Sequence, residues 1–177
     1  MIFTPAPLPG VFVIEAEPHR DERGLFARTF CKETFEARGL ATGFAQCSTS
    51  FNARAHTLRG LHYQAAPHGE RKLVRVTRGS VHDVVVDLRP GSGTYCRWFG
   101  VELSAENRRQ LYIPEGLAHG FQTLAEGSEV FYQISVPYVA AAARGVRWDD
   151  RAFGIEWPAA DARILSSRDR EYPDFQP

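Results

Sequence analysis

The run Leu58-Arg59-Gly60-Leu61-His62-Tyr63-Gln64 carries one histidine, and Lys72 follows at the head of an apolar alternating stretch. The two fall on adjacent β-segments. That pairing suits acid–base chemistry beside a carbonyl: an imidazole takes a C–H proton, and an ammonium holds the oxyanion that forms. An imidazole also titrates near neutral pH, as such a base must. Lys72, Val74 and Val76 share one face of their strand; Val130, Tyr132 and Ile134 share one face of another. Lys72 and Tyr132 thus project among apolar neighbours, and an interior-facing lysine is costly unless it meets an anion or a polar site. Simple alternation puts Arg59 and His62 on opposite faces. To serve one pocket they need a bulge at Gly60, or a reach of Arg59 around the rim.

Positioning these groups falls to strands. Val11–Glu15, Gly24–Phe30, Leu73–Thr77, Val81–Leu88, Trp98–Leu103, Gln110–Ile113, Gly120–Leu124 and Val130–Ser135 read as strands. Arg78-Gly79-Ser80, Arg89-Pro90-Gly91-Ser92-Gly93, Pro114-Glu115-Gly116 and Glu126-Gly127-Ser128 separate them as turns. Many short strands at near-regular spacing predict an all-β sandwich or barrel. Helix is scarce. Glu33–Arg38 predicts about two turns with Gly39 as the C-terminal cap. Ser104-Ala105-Glu106 resembles a helix start that the following strand cancels. The tail from Asp150 holds three prolines and is expected to wrap the barrel with turns or a short helix.

Length and charge bound the function. A chain of 177 residues predicts a single domain, 1–177, with a substantial core. Lys plus Arg and Asp plus Glu balance at 21 each, so nothing attracts nucleic acid or an anionic membrane in general; a local basic pocket for a small anion stays open. Cys31, Cys47 and Cys96 form no CxxC pair, which points away from a zinc knuckle or a disulfide framework and towards a reduced cytosolic setting. The N-terminus lacks a basic start and a long apolar run, and no segment reaches the roughly 18 apolar residues of a membrane span. A soluble cytoplasmic protein is the expectation. Pro114-x-Gly116-x-x-His119 has the spacing of a metal motif, but His62-Tyr63-Gln64 offers one histidine and a glutamine, a poor partner set for zinc or iron, so no metal is expected. His19, His56, His68 and His82 read as solvated.

Taken in order, these motifs resemble the dTDP-4-dehydrorhamnose 3,5-epimerases, sugar-nucleotide epimerases of the cupin (double-stranded β-helix) class. The resemblance runs from Asp21-Glu22-Arg23-Gly24 to Leu165-Ser166-Ser167-Arg168-Asp169. It includes Gln46-Cys47-Ser48, the segment around His62, Lys72-Leu73-Val74, Val84–Arg89, Leu111–Phe121, Phe131-Tyr132 and Trp148-Asp149-Asp150. It implies an all-β jelly-roll barrel with a few short helices. It also implies inversion of C3, C5 or both, flanking the ketone of a nucleotide-linked 4-keto-6-deoxyhexose, without metal or redox cofactor. By the resemblance, His62 removes the α-proton, Asp169 orients it, Lys72 faces the ketone oxygen, and Tyr132 delivers a proton to the opposite face. Arg59 and His119 would contact sugar or diphosphate, and Arg23 would reach the nucleotide of a neighbouring subunit in a homodimer that exchanges an N-terminal strand. Phe26, Arg28, Gln46, Ser48 and Arg168 complete the implied substrate-binding set. Four positions depart from the family pattern: Arg28 and Ala143 replace glutamates, Ser48 an asparagine and Arg168 a lysine.

Each group also has a plainer role. Tyr132 reads equally as a core aromatic, Lys72 as a lysine snorkelling to the rim, and Asp169 as a turn residue. Arg59 reads as a structural ion-pair partner, Arg23 as a solvated turn charge. Competing functions are a keto-sugar isomerase moving the carbonyl between C3 and C4, a metal-dependent cupin oxygenase, and a non-catalytic sugar-nucleotide-binding cupin.

Overall fold

The computed structural model describes residues 1–176. In chain order the first strands are β1 (Ile2–Pro5), β2 (Phe12–Glu15), β3 (His19–Asp21) and β4 (Gly24–Phe26). Helix α1 (Lys32–Glu36) precedes β5 (Gln46–Asn52), β6 (Leu58–Gln64), β7 (Lys72–Arg78) and β8 (Ser80–Asp87). Next come β9 (Trp98–Ser104), β10 (Gln110–Ile113), β11 (Leu117–Thr123) and β12 (Ser128–Ile134). Strand β13 (Ala143–Gly145) and helix α2 (Ser167–Arg170) follow. No helix among the described residues is long and apolar enough to cross a membrane.

Two antiparallel sheets face each other. One runs β1-β2-β10-β7-β12-β5, the other β13-β6-β11-β8-β9. This is the double-stranded β-helix of the cupin class. The hairpin β3–β4 belongs to neither sheet. Between the sheets lie Val74, Val76 and Val130 from one wall and Val81, Val85, Leu103 and Phe121 from the other, all buried. Each such side chain contributes about 1.5–3 kcal/mol through apolar burial. The outer faces are covered too. Phe35 of α1 packs with Ile14, Leu73 and Tyr112 behind the first sheet. The tail closes the second: Val146 and Phe153 pack with Leu61, Val84, Val86 and Ala118.

The tail therefore wraps the barrel as its prolines suggested, with α2 as the short helix. Gly39 caps α1 with φ +67°, donating its N–H to Glu36 O. Ser104–Asn107 closes as a turn, each residue's side chain accepting from the other's N–H. The strand expected over Gly24–Phe30 stops at Phe26, because Phe30 turns away to stack with Phe35 and Phe44 at 4.9 and 5.4 Å. Strand β5 carries no apolar alternation and was not foreseen from the pattern. His82 is not solvated: its Nε2 is buried without a hydrogen-bond partner, and its ring lies 6.1 Å from Trp157 of the tail. It occupies the outward face of β8, and the tail covers that face. His56 also has a buried, unpartnered Nδ1, whereas His19 and His68 are exposed.

Candidate active site

A cavity of about 640 Å³ opens between the sheets, with His62, Lys72, His119, Tyr132 and Asp169 in its wall. His62 enters from β6. There, His62 pairs with His119 of β11 and Arg59 with Phe121, so three steps on β6 match two on β11. That extra residue is the bulge anticipated at Gly60. Gly60 has φ +124°, where side chains are strained, and a Cβ on it would stand 2.5 Å from Gly120 Cα. The bulge lets Arg59 and His62 share the cavity while Leu61 points into the core under the tail.

Helix α2 brings Asp169 to His62. Ser166 caps the helix by accepting from the Asp169 N–H at 3.1 Å. The Asp169 carboxylate then accepts from His62 Nε2 at 2.7 Å and from the Gly60 N–H at 3.4 Å. Burial alone would raise this carboxyl. The hydrogen bonds from His62, Gly60 and Ser166 and the histidine's charge outweigh burial and hold it below the ordinary carboxylate range. An ionised Asp169 fixes the proton on Nε2 and leaves Nδ1 as the basic nitrogen of an imidazole whose side chain is 40% exposed.

Lys72 and Tyr132 come from the opposite wall. Lys72 heads β7 and is 7% exposed; its ammonium donates to His62 O at 3.3 Å. Tyr132 sits on β12 beside Val74 of β7, and its ring meets His119 edge-on at 6.0 Å. Burial, reinforced by the Asp83 charge and opposed by Arg59, pushes the Tyr132 phenol well above its usual range. It stays protonated at neutral pH and is available as a donor.

The remaining expected residues divide into two groups. Ser48, Arg59, His119 and Arg168 line the cavity. Arg59 Nε donates to Asn52 Oδ1 at 2.7 Å, and among the described residues its terminal amino groups have no hydrogen-bond partner. His119 is 4% exposed, its Nε2 2.9 and 3.0 Å from the two oxygens of buried Asp83. Arg168 lies 5.9 Å over the Tyr172 ring at the cavity edge. Arg23, Phe26 and Arg28 do not line the cavity of their own chain. Arg23 is 84% exposed and pairs with Asp21 at the hairpin turn; Phe26 is 73% exposed. Gln46 is also outside the lining; its Oε1 accepts from the Tyr138 N–H at 2.8 Å and so anchors that rim segment. Ala143 lines the wall from β13.

Sequence reasoning missed Asp83, Glu70, Asn52 and Tyr138. A signal existed for Asp83, which with Asp87 is one of two acids inside the apolar run Val81–Leu88, where a buried charge demands a partner. Glu70 gave none, since an acid in a polar loop reads as solvated.

Comparisons with known proteins give the family of the chain. A family model described as dTDP-4-dehydrorhamnose 3,5-epimerase matches residues 5–177. The dTDP-4-dehydrorhamnose 3,5-epimerase of Sinorhizobium fredii is 41% identical over 175 residues, covering 99% of this chain and 90% of that one. The crystal structure of the Bacillus anthracis dTDP-4-dehydrorhamnose 3,5-epimerase with TDP and PPi bound superposes with a TM-score of 0.94 at 38% identity, covering 98% and 99% of the two chains. ChmJ from Streptomyces bikiniensis, a 3'-monoepimerase in complex with dTDP-quinovose, gives a TM-score of 0.90 at 34% identity over 96% of this chain and 86% of its own. Alike in sequence along nearly its whole length and alike in fold, the chain belongs to the dTDP-4-dehydrorhamnose 3,5-epimerase family, carbohydrate epimerases of the isomerase class.

Proposed function

We propose that this chain inverts the carbons flanking the ketone of a dTDP-linked 4-keto-6-deoxyhexose in deoxysugar synthesis, with His62 as base and Tyr132 as acid. The observation that carries the reading is their placement on different sheets: His62 on β6 and Tyr132 on β12, either side of one cavity. Epimerisation needs a proton removed from one face of the sugar and returned to the other. Nδ1 of His62 takes the α-proton, and Asp169 steadies the imidazolium that results. The C4 oxygen gains charge as the enolate forms, and Lys72 meets it. Tyr132 then protonates the carbon from across the cavity. Only protons move, so the reaction calls for no redox group.

Arg59 and Arg168 suit the diphosphate, since a guanidinium fork matches phosphate oxygens. Ser48 and His119 face the sugar. We assign Arg23, Phe26 and Arg28 to the cavity of a second copy in a homodimer. What supports this is the β3–β4 hairpin, which among the described residues pairs with neither sheet of its own chain, and the edge strand β5, which among them pairs with β12 alone. β1 and β2 lie within their own chain's sheet, so the hairpin is the N-terminal element free to cross. Residues 1–177 act as one domain, and three free cysteines fit a reducing cytoplasm.

The test is incubation with dTDP-4-keto-6-deoxyglucose in heavy water. Deuterium at C3 and C5 of inverted product is expected. No deuterium at either carbon, or a carbonyl moved to C3, defeats the reading; deuterium at C3 alone narrows it to a 3-epimerase.

A further inference from the structure

Lys72 does not stand alone in the cavity wall. Its Nζ lies 2.8 Å from Glu70 Oε1, with the two side chains 9% and 11% exposed. The same ammonium donates to the His62 carbonyl at 3.3 Å. An ammonium has three donors on a tetrahedral nitrogen at the end of a flexible stem. Two fixed acceptors occupy two of them and remove most of the stem's freedom. The third N–H is left for the cavity that both residues line.

Glu70 is itself held. Its loop joins β6 to β7 and is pinned at both ends. Gln64 Nε2 donates to His68 O at 3.3 Å, and the Arg71 N–H donates to Ser135 Oγ at 2.9 Å. Arg71 also pairs with Glu115 at 2.6 Å, and Gly69 lets Glu115 approach so closely that a Cβ would meet its Oε2 at 2.8 Å.

We propose that Glu70 is a positioning residue for the epimerisation, aiming the free N–H of Lys72 at the substrate oxygen that gains charge. The proposal rests on the reading of Lys72 given above, and Glu70 acts only through it. A carboxylate beside the ammonium weakens the positive field at that oxygen, so its contribution is direction and not charge. Glutamine has the same length and an acceptor oxygen, and it keeps the aim. Aspartate keeps the charge but is one methylene short.

The experiment measures kcat, KM and solvent deuterium incorporation for the parent protein, Glu70→Gln, Glu70→Asp and Glu70→Ala with dTDP-4-keto-6-deoxyglucose. Glu70→Asp and Glu70→Ala should lose about 10–100-fold in kcat with KM within about threefold, as misplacing a catalytic group by about 1 Å does. Glu70→Gln should stay within about fivefold of the parent in kcat. Parental kcat in Glu70→Asp, or equal impairment in Glu70→Gln and Glu70→Asp, overturns the proposal; so does a loss confined to KM. Should Glu70→Ala fail to fold, the contrast between the Asp and Gln variants decides alone. A parent protein that incorporates no deuterium instead defeats the functional reading, and that result precedes any variant.

Discussion

In the proposed mechanism a single carbon–hydrogen bond sets the demands on His62 and Tyr132, and under those roles the two residues fail differently when altered. Tyr132→Phe removes the opposite-face donor and leaves His62 and Lys72 in place. Proton abstraction and return on the base side therefore continue. Inverted product should fall by about 10²–10³-fold while deuterium still washes into recovered substrate. Loss of both together would contradict the division of roles. Asp169→Asn keeps the shape but no longer fixes the proton on Nε2 of His62. The basic nitrogen is then no longer assured on the substrate side, and kcat should drop by about 10²–10⁴-fold with a smaller change in KM. Steady-state kinetics on this variant checks it. An equal fall in affinity alone would mean that Asp169 binds substrate and does not orient the base.

At the scale of the element, the bulge in β6 joins sequence to site. Gly60→Ala forces a side chain into φ +124° and against Gly120 and the His119 carbonyl. The variant should lose about 2–5 kcal/mol in urea unfolding, from backbone strain plus overpacking, and its Arg59 and His62 should separate from the cavity. Unchanged stability would show that β6 and β11 separate easily. Gly60 was legible because two chemically useful residues lay an odd number of positions apart, a conflict that only an irregularity resolves. The strands β7, β8, β10 and β12 were legible because their valines and leucines are buried on at least one face. β5 was not. Its Ser48 and Ser50 face the cavity and its outer residues Cys47, Thr49 and Phe51 are exposed, so neither face writes an apolar stripe. β13 was hidden for a related reason: three residues held by backbone pairing to β6 leave no pattern at all. His82 was misjudged because its cover, Trp157, comes from a tail whose path the local sequence does not state.

Across the whole molecule, acid should destabilise in two stages. Burial lowers His82 below its usual 6.5, against the opposing pull of Asp83 and Glu102. A base depressed in the folded state binds more protons when unfolded, so stability falls as pH drops from about 6.5 through the folded value. Asp87 and Asp169 are depressed carboxyls; Asp87 resists burial through hydrogen bonds from Arg89, Thr94 and Ser92. Their stabilisation is present above about 3.8 and is lost below it. Urea unfolding at several pH values should show both stages, and His82→Gln should remove the first. A first stage that survives the substitution assigns it to another group.

Assembly is the last question at this scale, and the hairpin makes it testable. Arg23 and Phe26 project from β3–β4, outside the cavity of their own chain, while Phe51 stands 53% exposed on β5. Sedimentation should give twice the 19.8 kDa chain mass. Two inactive variants then distinguish a hairpin that crosses from one that does not. Arg23→Ala combined with Phe26→Ala damages the hairpin and spares the cavity; His62→Ala damages the cavity and spares the hairpin. If each cavity is completed by the other copy's hairpin, a mixed dimer contains one site with both parts intact. Unfolding and refolding the two variants together should restore roughly a quarter of the parental activity, since half the dimers are mixed and each has one good site. If each hairpin serves its own chain, every site in the mixture carries a defect. Activity then stays at the level of the separate variants, and the exchange is excluded even if the dimer itself is real.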